Sequence, residues 1–209
     1  MNSPHLLRHL CLTAILAAAL SISGCQRFHH ADTQPLYNSG FWSDTIDKLR
    51  GMNVSDSEVT DLINLHNAGF SDESCIEFVS IARAHQQMFT SGEKAAGLLR
   101  SGLAEPTVME LARLNLIDSW GGEAQSIRLA GYSDQVVLAT ARRRAQHLPV
   151  ASAASLVELK NTGVTEQQVL DMISRGLTDE QVGQKVAAQK QSEMPKVGYV
   201  RRAPPKKHN

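Results

Sequence analysis

Gly69-Phe70-Ser71-Asp72 is the stretch from which the fold can be read, because the chain returns to it repeatedly. The later copies are Gly102-Leu103-Ala104-Glu105, Gly131-Tyr132-Ser133-Asp134, Gly163-Val164-Thr165-Glu166 and Gly176-Leu177-Thr178-Asp179. An earlier copy, Asn53-Val54-Ser55-Asp56, puts asparagine in the glycine slot. The flanks repeat too. Four residues before each Gly or Asn stand Leu49, Leu65, Leu98, Ile127, Leu159 and Met172. Six residues after it stand Val59, Cys75, Val108, Val137, Val169 and Val182.

Each slot suits one task. Gly or Asn takes the left-handed backbone conformation that ends a helix and satisfies its last carbonyls. The apolar residue that follows is placed against the residue four before the glycine. Ser or Thr next is a preferred N-cap, and an acid at the first helical position complements the positive end of the helix dipole. That same apolar residue, now just ahead of the N-cap, faces the valine at the fourth helical position, which makes a hydrophobic staple. One side chain thereby braces two successive helices.

Outward from these corners, Thr90 with Glu93 reads as a capping box, Asp118 or Ser119 as another helix start, Ser152 as a start after Pro149, and Ser43 as the opening of the first helix. The pattern predicts an all-α chain of about ten short helices between residues 43 and 191, closed by Pro195. No stretch alternates convincingly as a strand; Val197–Val200 is a weak candidate. The glycine corners are 33, 29, 32 and then 13 residues apart. Tandem helical hairpins of this length resemble the class that includes the tetratricopeptide repeat, but the signature Trp, Tyr and Pro of that family are absent. The uneven spacing leaves an open superhelix and a compact bundle both available.

The 209 residues are 42% hydrophobic and 5% aromatic, a composition for an aliphatic helical core. Charge balances at 21 basic and 21 acidic side chains, but not evenly. Residues 195–209 hold Lys196, Arg201, Arg202, Lys206 and Lys207 without an acid. Setting these and Arg8 aside leaves 15 basic against 21 acidic groups, an acidic body that argues against nucleic-acid binding. The basic, proline-containing segment 192–209 reads as a disordered tail, with anionic phosphates of lipid headgroups or cell-wall polymers as its natural attractants.

Leu10 to Leu20 form an apolar run of eleven residues, about 16 Å of helix, far short of a ~30 Å hydrocarbon core. It reads as the hydrophobic region of a signal peptide. Ile22-Ser23-Gly24-Cys25 follows. This resembles the lipobox of bacterial lipoproteins, an aliphatic residue and two small ones before an obligatory cysteine. The resemblance covers residues 1–26. It implies that residues 1–24 are removed and that Cys25 carries diacylglycerol, anchoring the chain to a membrane of the cell envelope. Gln26 is not the Asp that retains enteric members of the family in the inner membrane, so the resemblance implies an outer membrane where the organism has one. Residues 25–42, with Pro35 and Gly40, then read as the lipidated cysteine and a flexible tether.

Candidate chemistry is sparse. With Cys11 removed and Cys25 lipidated, Cys75 has no disulfide partner, and its valine-equivalent slot makes it a core residue. His29 and His30 lack a third ligand; His66, His85 and His147 fall on different helices without zinc spacing. The chain has no G-x-S-x-G, phosphate-binding glycine loop or H-E-x-x-H. The recurrent acids read as dipole-complementing charges at exposed helix starts. Arg142-Arg143-Arg144 spans about 200° of a helix and reads as a solvated face. Trp120-Gly121-Gly122 reads as a packed helix start, and Phe41 and Trp42 as a cap on the end of the array. The functional expectation is a non-enzymatic, lipid-anchored scaffold that binds another protein, without cofactor, metal or nucleic acid. A membrane-to-wall link through the basic tail is the alternative, and an envelope hydrolase a distant third.

Overall fold

The computed structural model describes residues 31–193. Cys25 and its lipobox, the basic tail, Pro195 and Val197–Val200 lie outside them. The chain is all-helical: α1 (Gln34–Asn38), α2 (Ser43–Gly51), α3 (Asp56–Ala68), α4 (Asp72–Ala84), α5 (Gly92–Arg100), α6 (Glu105–Arg113), α7 (Ile117–Leu129), α8 (Asp134–Ala145), α9 (Ala153–Lys160), α10 (Glu166–Ser174) and α11 (Asp179–Glu193). No strand occurs among the described residues.

Every joint between successive helices contains one residue of positive φ. In chain order these are Gly40, Asn53, Gly69, Gln86, Gly102, Asn115, Gly131, His147, Gly163 and Gly176. At eight of the ten, the next residue's N–H reaches back to the carbonyl four positions before the corner, as Phe70 does to Leu65 and Leu177 to Met172. Glycine carries six of these corners at no steric cost; Asn, Gln and His carry the others against a Cβ penalty. Sequence reading finds the glycine corners from Gly69 onward and Asn53. It passes over Gln86 and His147, where no glycine or asparagine marks the turn, and Asn115, whose type suits the turn but whose flank lacks the Ser or Thr cap of most other copies. It also passes over Gly40, hidden in the expected tether.

With all ten corners counted, the spacing resolves. Corners recur 62 residues apart, from Gly40 to Gly102, Asn53 to Asn115 and Gly69 to Gly131, and 61 apart from Gly102 to Gly163 and Asn115 to Gly176. The repeating unit is therefore four helices. Thr45 and Thr107, Leu49 and Leu111, Asp56 and Asp118, and Ser71 and Ser133 are identical pairs at that offset.

Each helix packs on the helices two before and two after it, and contacts reach no farther than second neighbours. The odd helices form one row and the even helices another. Starts lie beside starts within a row, since the N-cap Ser71 of α4 bonds Glu105 at the start of α6, so helices within a row run parallel. This decides the architecture left open by the sequence: an open two-row array, each unit touching only its neighbours.

The core runs between the rows. Leu49, Leu65, Leu159 and Ile127 are fully buried, as are Cys75, Val108, Val137 and Val169 in the valine slot. Each such side chain stabilises the fold by about 1.5–3 kcal/mol relative to exposure. The apolar residues after the corners, Val54, Phe70, Leu103, Tyr132 and Leu177, are buried as well.

Three expectations need correction. Residues 34–38, read as tether, form α1, with Leu36 fully buried and Phe41 in the core, so the folded part begins near Thr33 rather than at Ser43. Pro35 sits in the first turn of α1, where its missing N–H costs nothing. The Thr90–Glu93 capping box does not form; Ser91 is the N-cap of α5 and turns its hydroxyl to Asp118 instead. Trp120-Gly121-Gly122 lies inside α7, with Trp120 buried and Gly121 pressed toward Leu98, rather than at its start.

Candidate interaction surfaces

The recurrent acids do more than face a dipole. Each accepts a hydrogen bond from backbone at the start of the helix two before its own. Asp56 takes the Asp32 N–H (3.2 Å), Asp72 that of Trp42 (3.0 Å) and Glu105 that of Ser71 (3.1 Å). Asp134 takes Ala104 (2.9 Å), Glu166 takes Ser133 (3.2 Å) and Asp179 takes Ser152 (2.7 Å). Side chains reinforce several of these; the hydroxyls of Ser71, Thr107 and Ser133 donate to Glu105, Asp134 and Glu166. The donors are N–H groups that a helix start leaves without intrahelical partners. The acids thus form a ladder that fixes each unit onto the next. Backbone bonding from Ser152 and side-chain bonds from Ser155 and Ser152 lower the pKa of Asp179 against burial. At Glu105, burial raises the pKa, but bonds from Ser74 and Ser71 outweigh it. These acids stand in the first turns as expected, with Asp56 and Asp179 exposed, and are structural ties as well; only Asp72 among them is buried.

The ladder ends locally. Thr165 and Thr178, at the starts of the last two helices, send their N–H groups to Gln168 and Gln181 within their own first turns.

The α3–α5 step is built differently. Glu58, 1% exposed, receives both Arg83 Nη atoms (2.7 and 2.9 Å), the Phe89 N–H (2.8 Å) and the Ser55 N–H (2.9 Å). Burial alone would raise its pKa; these donors and the Arg83 charge hold it down at about 2. The Asp61 carboxylate receives the N–H groups of Gly92 and Glu93, yet burial raises its pKa.

Histidine and acid meet in two places, in the second together with a serine. His66 Nδ1 lies 3.3 Å from Asp72 Oδ1 while its ring stacks on Phe41 at 4.3 Å. His66 occupies the position that Arg128 holds one unit later, and Arg128 likewise sits beside a corner glycine, donating to the Gly102 carbonyl (2.9 Å) and facing Asp134 (3.8 Å). The pair is a corner brace. The second place is a cleft of about 60 Å³ between the α4–α5 and α6–α7 joints, lined by His85, Ser91 and Asp118 over Phe78, Ile81 and Ala112. Asp118 binds Ser91 and Lys94 (2.6 Å to Nζ). Burial raises its pKa, but those bonds and the Lys94 charge lower it overall, which makes it a weak base toward the serine hydroxyl.

Arg142 and Arg144 are exposed, as a solvated face requires, and Arg143 is half-buried, but all three are engaged. They reach Glu110 (3.4 Å), the carbonyls of Pro149 and Ser174 (3.1 Å each) and Glu123 (3.4 Å), tying α8 to its neighbours. Cys75 is fully buried, and burial pushes its thiol pKa upward. Among the described residues no group of three or more His, Cys, Asp or Glu could hold a metal ion, and no helix is long and apolar enough to cross a membrane.

The surfaces available to partners are grooves. One of about 320 Å³ lies between α5 and α7, floored by Gly97, Gly121 and Gly122 and rimmed by Glu93, Lys94 and Gln125. Another of about 400 Å³ lies at the α10–α11 end, around Met172, Leu177 and Ala188 with Arg175 and Lys185. There Val164 and Met172, whose counterparts in the other copies of the pattern are buried, are only half covered, and among the described residues no further helix packs on α10 in the even row. At the opposite end Trp42 is 78% exposed.

Fold and surfaces together define an open all-α helical-repeat array. In comparisons with known proteins, no family model matches the chain and no curated protein sequence is similar to it.

Proposed function

We propose that this chain is a lipoprotein of the bacterial envelope, anchored through Cys25, whose helical array is a non-enzymatic scaffold for another protein. The observation that carries the scaffold reading is the open array itself. Because helices touch only first and second neighbours, the described residues leave grooves such as that between α5 and α7 uncovered along the array. Anchoring rests on the lipobox resemblance at Ile22-Ser23-Gly24-Cys25, and Gln26 favours the outer membrane in a two-membrane organism. Asp118 is engaged by Ser91 and Lys94, and His66 stacks on Phe41 beside Asp72 as a corner brace, which favours a binding role over hydrolysis.

Photo-crosslinking residues placed at Gln125 and Gln184, one in each groove, would test this in intact cells. A discrete protein adduct at either position is expected. Adducts to no protein at either position, from chain confirmed to be folded and exported, would overturn the scaffold.

The excess of Lys and Arg in residues 195–209 supports a second reading, a link from membrane to an anionic wall polymer. Deleting that segment would then abolish co-sedimentation with cell-wall material; unchanged sedimentation would remove the idea.

A further inference from the structure

Trp42 is a large side chain in a slot that holds small ones at most other corners, Leu116 at the start of α7 being an exception that is buried. It is the N-cap of α2, the position taken by Ser55, Ser71, Ala104, Ser133 and Thr165 at equivalent corners. It caps nothing through its side chain, and its backbone N–H is satisfied by Asp72. Among the described residues the indole makes no hydrogen bond or ring contact, and it is 78% exposed. The fold therefore gives no reason for an indole here. Tyr37, 40% exposed with the Arg50 guanidinium 5.8 Å over its ring, lies across the Gly40 corner from it.

The position of this pair in the chain supplies a reason. Ala31 and Asp32 already belong to the folded end, since the Asp32 N–H bonds Asp56. Only six peptide steps separate Ala31 from Cys25, at most ~22 Å whatever their conformation. A lipid on Cys25 thus leashes this end of the array, and no other, to the bilayer. Between Asp32 and Trp42 lie one five-residue helix, about 8 Å long, and one corner. Indole and phenol rings, apolar in body and polar at the tip, favour the boundary between headgroups and acyl chains. Asp44 and Asp47 beside them would oppose an anionic surface. We propose that Trp42, flanked by Tyr37, seats in a zwitterionic headgroup layer, so that the array stands on the membrane by its N-terminal end with its grooves held away from it. The inference rests on the anchor proposed above.

Chain 25–209 coupled through Cys25 to a maleimide lipid in phosphatidylcholine vesicles tests the seating, because buried Cys75 does not compete for the label. The chain has two tryptophans, and Trp120 is buried, so iodide reports Trp42. On vesicles the iodide quenching constant is expected to fall several-fold relative to uncoupled protein, and brominated phosphatidylcholine should quench the same emission. Trp42→Phe should remove both effects. Equal iodide quenching in solution and on vesicles would overturn the proposal, as would shielding from iodide without quenching by brominated lipid, which would mean that protein covers the indole. Mass spectrometry of the native Cys25 peptide separates the two readings. Without lipid on Cys25 the anchor fails whatever the vesicles show; with lipid present and no shielding, only the seating fails.

Discussion

Gly92 lies so close to Asp61 that a β-carbon built on it would stand 2.5 Å from the Asp61 carbonyl oxygen and 2.7 Å from its α-carbon. The first turn of α5 thus rests on the backbone of α3, and the Asp61 side chain uses the approach to accept two N–H groups. Backbone cannot yield as a flexible side chain can, so any side chain at 92 must part the two helices.

Gly92→Ala is therefore expected to destabilise the array by about 1–3 kcal/mol, the usual range for overpacking. Gly97→Ala, in the same helix with nothing within 4 Å of the added carbon, should be neutral or stabilising by up to about 1 kcal/mol. Urea unfolding followed by circular dichroism checks both. Equal midpoints for the two variants would remove the close approach as a determinant.

The ladder predicts a second contrast. Asp134→Ala strips an acceptor from both the Ala104 N–H and the Thr107 hydroxyl, and should cost about 1–2 kcal/mol. Asp44→Ala, at an exposed helix start without a cross-unit donor, should stay within about 0.5 kcal/mol of the parent. Replacing Thr107 by Val in each background gives a double-mutant cycle that isolates the hydroxyl bond.

Glu58 sets an acid limit. Its folded pKa of about 2 lies below the ordinary 4.5, so the folded state binds its proton more weakly than the unfolded chain does. The stabilisation, about 3 kcal/mol from the size of that shift, is present above pH ~4.5 and lost progressively as pH falls from there toward 2. Acid titration of stability should show this slope, and Glu58→Gln should flatten it while lowering stability at neutral pH by about 3–5 kcal/mol, since Arg83 would lose its buried counter-charge. An unchanged slope in the variant would assign the acid sensitivity elsewhere.

Nearest-neighbour packing predicts that the end can be removed. Helices α10 and α11 contact only α8 and α9, so a chain stopped at Asn161 should keep the amide protection of α3 to α6. Hydrogen exchange measures this directly; global loss of protection would show cooperativity that the contacts do not account for.

The local grammar of this protein was legible residue by residue. Glycine at 69, 102 or 131 can end a helix with little strain, Ser or Thr two positions on can cap the next, and an apolar residue between them must be buried; each follows from the chemistry of a few consecutive residues. The unit of four helices was not legible, because Gln86 and His147 take a left-handed conformation that their side chains do not advertise and that packing on both sides imposes, and because Asn115 stands without the cap that marks the corner at Asn53. Nor was the first helix, whose five residues are too few to show a period and depend on the burial of Leu36 and Phe41.

The ladder marks the division most clearly. That Asp72 and Asp134 begin helices could be read from their neighbours, but their acceptance of N–H groups 30 residues earlier could not. A carboxylate at a helix start satisfies its own dipole in any arrangement. Only the parallel stacking of alternate helices brings the start of one unit within hydrogen-bond reach of the next, and that stacking is decided by how the buried faces of many residues meet in space.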